Sequence, residues 1–234
     1  MKNIMMFVFL TLNILPLFSC EKTDENTETI KEEQIFQIQK IFSDERFPNI
    51  VVAMDGTLVA TWGSKNYRVR LSKDGGLIWE DEMSISEPGF QGGGTTVDER
   101  TGDILIFVEE GHPISPLTVY RSKDNGKTWN PEDVIIHPDN NGNSPSMHMN
   151  ERGTTLKHGK HAGRLIRPTR YYDGGNEKEF WSEHYTNAIY SDDHGKTWHT
   201  SNPFPANGTG EATLVELSGG TIYYNSRRHH STDV

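Results

Sequence analysis

The phrase SKDGGLIW at residues 72–79 returns as SKDNGKTW at 122–129 and as SDDHGKTW at 191–198. All three copies share Ser-x-Asp-x-Gly-x-x-Trp, carried by Ser72, Asp74, Gly76 and Trp79, by Ser122, Asp124, Gly126 and Trp129, and by Ser191, Asp193, Gly195 and Trp198. Each copy follows a short alternating run (YRVRLS, LTVYRS, TNAIYS) and leads into another (LIWE, KTWN, KTWH), so it reads as a hairpin turn. Asp accepts backbone N–H bonds inside such a turn. Gly supplies a positive φ that costs other residues energy. Trp then lays a large apolar face on the hairpin or its neighbour. A residue that performs chemistry is not needed in three equivalent turns, so these aspartates read as structural.

Counting strands around each copy extends the pattern. The first unit holds four, at 49–54, 57–62, 67–72 and 77–80, with Asp55-Gly56 as the first hairpin turn. GTTVD and DILIFV precede the second copy, and TTLKH and GRLIRP the third, again making four each. Four-stranded antiparallel units of this kind predict the blades of a β-propeller, an all-β fold, with the repeat always between strands three and four. ATLVEL, the turn SGG and TIYYNS then supply the first two strands of a fourth blade. The sequence thus encodes about three and a half blades, whereas propellers close with roughly four to eight. An open half-propeller exposes sheet faces and edges, so the chain is expected to be the N-terminal part of a longer protein.

Ahead of the blades the composition changes. Residues 1–19 have one Lys and an apolar run, the pattern of a secretory signal peptide. Leu17-Phe18-Ser19-Cys20 at its end resembles a bacterial lipobox, which implies cleavage before Cys20 and a lipid on its thiol. Cys20 is the only cysteine, so no intrachain disulfide is available. Within residues 20–36, the stretch 21–33 holds six acidic and two basic side chains and reads as a solvated tether. Residues 37–234 are then the propeller portion. The net charge of −10 offers no basic footprint for nucleic acid. The expected partners are a membrane, through the anchor, and glycans; the expected location is the cell envelope, as an exported outer-membrane-type lipoprotein.

The repeated motif resembles the Asp box, or BNR repeat. Arg46-Phe47-Pro48, just before NIVVAMDGTLVATW, resembles the Arg-Ile-Pro element that opens sialidases, with Phe in place of Ile. GTGEATLVEL at 208–217 resembles the segment that carries the sialidase glutamate, here Glu211, and NSRR at 225–228 the segment that carries a second arginine, here Arg227. The likeness runs in family order from about residue 44 to the end. It implies a six-bladed sialidase-like propeller and retaining cleavage of terminal sialic acid, or a related acidic sugar, from glycans, with no cofactor. In that scheme arginines bind the sugar carboxylate, Glu activates a tyrosine nucleophile and an Asp serves as acid/base. Arg46 and Arg227 would hold the carboxylate and Glu211 would be the catalytic base. Guanidinium forks suit a carboxylate because they stay charged and bind it in two places.

Strand direction gives an independent reason for these residues to meet. Strands alternate, so the strand three–four turns, and with them all three Asp boxes, fall at one end of the blades. Arg46, Glu211 and Arg227 fall at the other. The fit has gaps. The blade-one loop at the active end, Gly63-Ser64-Lys65-Asn66, lacks the carboxylate the resemblance calls for. Asp55 and Asp98 lie at the wrong end. Glu109 and Glu110 reach the right end and are the nearest alternative acids, although an exposed loop carboxylate is more often simply solvated. The tyrosine nucleophile and third arginine have no place in this sequence, since Tyr223 and Tyr224 fall within a strand. His148, Glu151, Arg167, Arg170, Tyr171 and Tyr172 are further candidates at that end, with the Arg and Tyr residues read as surface groups at a strand end. His158, His161, His229 and His230 fit no known ligand framework, so no metal is expected. Two rivals remain open: an Asp-box hydrolase for another sugar, and a non-catalytic glycan-binding propeller.

Overall fold

The computed structural model describes residues 38–43, 46–91, 93–148, 150–172, 174 and 177–228. Cys20, the leader, the acidic segment, His229 and His230 lie outside the described residues.

The first blade is a sheet of β1 (Asn49–Val52), β2 (Leu58–Trp62), β3 (Tyr67–Ser72) and β4 (Met83–Ser86), paired in that order. Its first turn forms as read: Gly56 takes φ 88° and the Thr57 N–H donates to Asp55 Oδ1 at 2.9 Å. In the second blade the first strand is split into β5 (Phe90–Gln91) and β6 (Thr96–Val97), both paired with β7 (Ile104–Glu109). β8 (Leu117–Ser122) and β9 (Asn130–Glu132) complete it. The third blade gains a strand. β10 (Ile135–His137), from the connecting segment, pairs in parallel with the outermost strand of the next blade. The order is β10, β14 (Thr197–Thr200), β13 (Tyr185–Ser191), β12 (Leu165–Tyr171), β11 (Thr154–Thr155). β15 (Thr209–Glu216) and β16 (Ile222–Arg228) are the half-blade. These three and a half blades are those of a sialidase-like β-propeller.

The fourth strand of blade one corrects the sequence reading: it begins at Met83 rather than 77. The Asp box makes the same bond in every blade: Asp74 Oδ1 accepts the N–H of Ile78, as Asp124 Oδ1 accepts that of Thr128 and Asp193 Oδ1 that of Thr197, each at 2.9 Å. In the third blade β14 begins at Thr197 itself, so that bond does not set the start of the strand. In blade one the return to the sheet comes later, beyond the Glu80 N–H, which donates to the Leu71 carbonyl.

The boxes also join blades. In each, the Ser hydroxyl bonds the Asp carboxylate at 2.8 Å and accepts the Gly N–H, while the Trp indole N–H donates back to the Gly carbonyl. A methyl group on Gly126 would meet Leu71 and Val59 of blade one, and one on Gly195 would meet Leu105 of blade two at 2.7 Å. Absence of a Cβ therefore lets the second and third boxes lie flat on the preceding blade. His194 Nδ1 sits 2.7 Å from the buried Asp98 carboxylate, and Arg121 donates to the His194 carbonyl, fastening the third box to blade two. The apolar core follows the same seams. One cluster joins Val59, Val69 and Leu71 to Ile104, Ile106 and Val108, and the next joins Leu105, Phe107 and Val119 to Leu165, Ile189 and Trp198.

Candidate active site

At the end opposite the Asp boxes, one cleft of about 360 Å³ is lined by Arg46, Glu211 and Arg227 together. Each is placed by a different device. Arg46 is held beside the blade-one loop because the Gly63 N–H donates to its carbonyl at 3.0 Å. The next residue, Phe47, has a φ of 62°, a conformation that strains a side-chain-bearing residue. Its ring is fixed between the Arg46 guanidinium, 4.6 Å from the ring centre, and Phe90, centre to centre 5.2 Å. Glu211 lies inside β15 rather than before it, in a break of register between Thr209 and Ala212. Such a bulge re-aims a side chain out of the alternation of the sheet. The connection between blades two and three secures that bulge: the Ala212 N–H donates to Asn150 Oδ1 at 3.1 Å and the Glu151 N–H to the Ala212 carbonyl at 2.9 Å. Arg227 stands on the end of β16, and its Nη1 donates to Glu211 Oε1 as an ion pair.

The remaining walls are aromatic and cationic. Arg170, Tyr172 and His148 line the cleft with Phe90, His112 and Trp181. The Arg170 guanidinium stacks 4.2 Å from the Tyr172 ring centre, and the charges of Glu211 and Arg227 both act on it. Burial pulls Arg170 down to about 10, which still leaves it charged at neutral pH. Burial also raises the Tyr172 hydroxyl, against the pull of Arg170. Three guanidinium groups with one carboxylate make a cleft that favours an anion, and the flanking rings suit the apolar face of a sugar. Among the described residues, no group of three or more His, Cys, Asp or Glu is arranged to hold a metal.

Several sequence readings change here. Arg167 is not a surface group: it is 0% exposed, with its guanidinium 4.0 Å from the Phe107 ring centre, and it lies outside the cleft lining. Arg170 is likewise buried, at 1% exposed, at the floor of the cleft. Glu109 is not an exposed loop acid. It ends β7 at 3% exposure, and burial raises its carboxyl to about 7 despite bonds from the Ser146 hydroxyl and Met147 N–H. It faces an adjoining, mostly apolar pocket of about 300 Å³ that shares Tyr172 with the cleft. Glu151 belongs to a different groove beside Pro48 and Ile50. Ser64 does line the cleft, so the blade-one loop presents a hydroxyl where the resemblance calls for a carboxylate. Sequence reasoning missed His112 and Trp181. Both sit in segments that follow the second strand of a blade, and strand direction alone sends those segments to this end.

Comparison with known proteins agrees with this architecture. The BNR/Asp-box repeat pattern matches residues 120–131 and 189–200. The chain is 30% identical over 221 residues to the sialidase of Micromonospora viridifaciens, which covers 80% of this chain and 33% of that protein. It is 34% identical over 224 residues to sialidase-4 of Mus musculus, covering 82% of this chain and 42% of that one. The structure of the Hadza microbial sialidase Hz136 superposes with a TM-score of 0.61 at 23% identity, over 78% of this chain and 42% of that chain. The chain thus spans less than half the length of each of these relatives. With its repeats, its blades and its alignments in accord, the chain is a sialidase-like member of the BNR/Asp-box repeat family.

Proposed function

We propose that the protein is a glycoside hydrolase of the sialidase superfamily that removes terminal sialic acid, or a related acidic sugar, from glycans. The observation that carries this reading is the convergence of Arg46, Arg227 and Glu211 on one cleft from the two ends of the propeller portion. In this reading Arg46 and Arg227 hold the substrate carboxylate. Glu211, ion-paired to Arg227, is the base that activates the nucleophile in a retaining reaction. The test is release of fluorophore from a 4-methylumbelliferyl α-sialoside by the full-length protein, with Arg46→Ala as control. Removing one charged hydrogen-bonding partner costs about 1.5–3 kcal/mol, so KM is expected to rise roughly 10- to 100-fold. Turnover at an unchanged KM in Arg46→Ala would count against the reading.

Ser64 favours a second reading, an Asp-box hydrolase for another sugar, because the missing carboxylate is the part of the sialidase scheme that the cleft lacks. Release from a different glycoside but not from the sialoside would select it. Binding of glycan without turnover of either would select the non-catalytic propeller. We also propose that Cys20 anchors the protein to the envelope as a lipoprotein, with the acidic segment as a spacer. Incorporation of labelled palmitate, lost in Cys20→Ser, is the expected result; equal labelling of both would remove the anchor.

A further inference from the structure

Cleaving a sugar from an alcohol leaves an alkoxide unless a proton reaches the departing oxygen, and general acid catalysis of that transfer is worth about 10²–10⁴ in rate. The carboxylates near the cleft are poorly placed to supply it. Glu211 is engaged by Arg227, and Glu109 is sealed behind Ser146 and Met147 and faces the neighbouring pocket. The blade-one loop contributes Ser64, which does not titrate in this range.

One titratable group does open into the cleft. His112 follows β7, is exposed, and lines the cleft with Tyr172. Its Nδ1 lies 3.1 Å from the Pro113 carbonyl oxygen. A carbonyl only accepts, so Nδ1 keeps its proton and Nε2 is the atom that gains and loses one. Nε2 is 3.4 Å from the Tyr172 hydroxyl. That hydroxyl can donate to the neutral ring, and its oxygen can accept from the charged one. The imidazole is also held by edge contacts to His148 at 4.7 Å and Phe90 at 5.9 Å, centre to centre. His148 itself is 3% exposed, covered by these rings.

We propose that His112 is the acid/base residue of this cleft and that Tyr172 is its positioning residue. The inference rests on the glycoside-hydrolase reading above. In the step assigned to it, the imidazolium Nε2–H passes its proton to the glycosidic oxygen. The bond from that oxygen to the anomeric carbon breaks, and its electron pair stays on the oxygen. The attacking O–H bonds to the anomeric carbon and gives its proton to Glu211. In the second half water bonds to that carbon and gives a proton to the neutral His112, while the bond to the attacking oxygen breaks and that oxygen takes its proton back from Glu211. Water is the net co-substrate, and both residues return to their starting states.

The test uses two substrates of the full-length protein that differ in their need for that proton: a sialyl-galactoside, whose leaving alcohol is a poor anion, and a p-nitrophenyl sialoside, whose phenolate leaves unaided. His112→Asn is expected to lower kcat/KM about 100-fold or more on the galactoside and less than about 5-fold on the aryl sialoside. Tyr172→Phe, which keeps the ring stack and removes only the hydroxyl, is expected to lower the galactoside rate about 10-fold with the same selectivity. His112→Gln serves as a second variant, and circular dichroism of each confirms folding. Equal losses on both substrates, or no loss on either, would overturn the role of His112 while leaving the hydrolase reading intact. A wild-type protein that cleaves neither substrate would remove the sialoside-hydrolase reading, and the inference with it.

Discussion

Truncating Trp198 to alanine is expected to lower the free energy of unfolding by about 4 kcal/mol, Trp129→Ala by roughly 2 and Trp79→Ala by about 1 or less. The three residues occupy the same place in the same motif and make the same indole bond to a glycine carbonyl, at 2.9, 2.9 and 3.1 Å. What differs is the blade behind them. Trp198 is 0% exposed, meets Phe107 edge-on at 5.5 Å, and belongs to the cluster that joins blades two and three. Trp129 is partly buried against the cluster of blades one and two. Trp79 belongs to the first box, whose Gly76 neighbours only Leu58 and Trp79 of its own blade, and it joins neither cluster. Removing a fully buried large aromatic leaves a cavity that its neighbours fill only in part. Removing a half-covered one mostly returns solvent to a surface groove. Chemical denaturation of the three variants reads the order directly. Equal losses would mean that the box stabilises only its own hairpin, and the account of the repeat as a seal between blades would fall.

The legible part of this protein is the part governed by periodicity and punctuation. The boxes, the Asp55-Gly56 turn and the alternating runs declared the blades, because a side-chain period of two and a turn residue with positive φ are local demands. The blade boundaries drifted where the chain after a box made further local bonds. The Glu80 N–H turns back to the Leu71 carbonyl, and the fourth strand of blade one begins only at Met83. The parallel strand β10 was invisible, since IIH is too short to carry a pattern and its partner lies beyond the next three strands. At the site, Arg46, Glu211 and Arg227 were legible through the resemblance of their segments to those of sialidases, and strand direction agreed by sending all three to one end. Arg167, Arg170 and Glu109 were misread for a physical reason. Charged side chains at strand ends are ordinarily exposed, and nothing in RLIRPTR tells that two guanidinium groups pack over the Phe107 and Tyr172 rings. Strand direction also sends the segments of His112 and Trp181 to that end, but within a connecting segment no period marks which side chain lines the cleft.

Replacing Glu211 by glutamine is expected to lower kcat on the sialoside by about 10²–10⁴ with little change in stability. Glutamine keeps the shape and a hydrogen bond to Arg227 but no longer removes a proton. The Glu211–Arg227 pair has side-chain exposures of 28% and 61%, so its contribution to the fold is small, of the order of 0–1 kcal/mol. Loss of activity at an unchanged melting temperature therefore isolates chemistry from folding. The partner gives a further discrimination. Arg227→Ala alone should weaken substrate binding and also leave Glu211 without its ion-pair partner. If the two residues act as one unit, the double variant will be little worse than Glu211→Gln alone, because each loss already disables the pair. Strict additivity would assign Arg227 to carboxylate binding only, with no part in positioning Glu211. Full turnover by Glu211→Gln would be the decisive contrary result, since Glu109, the other carboxylate close by, faces a different pocket.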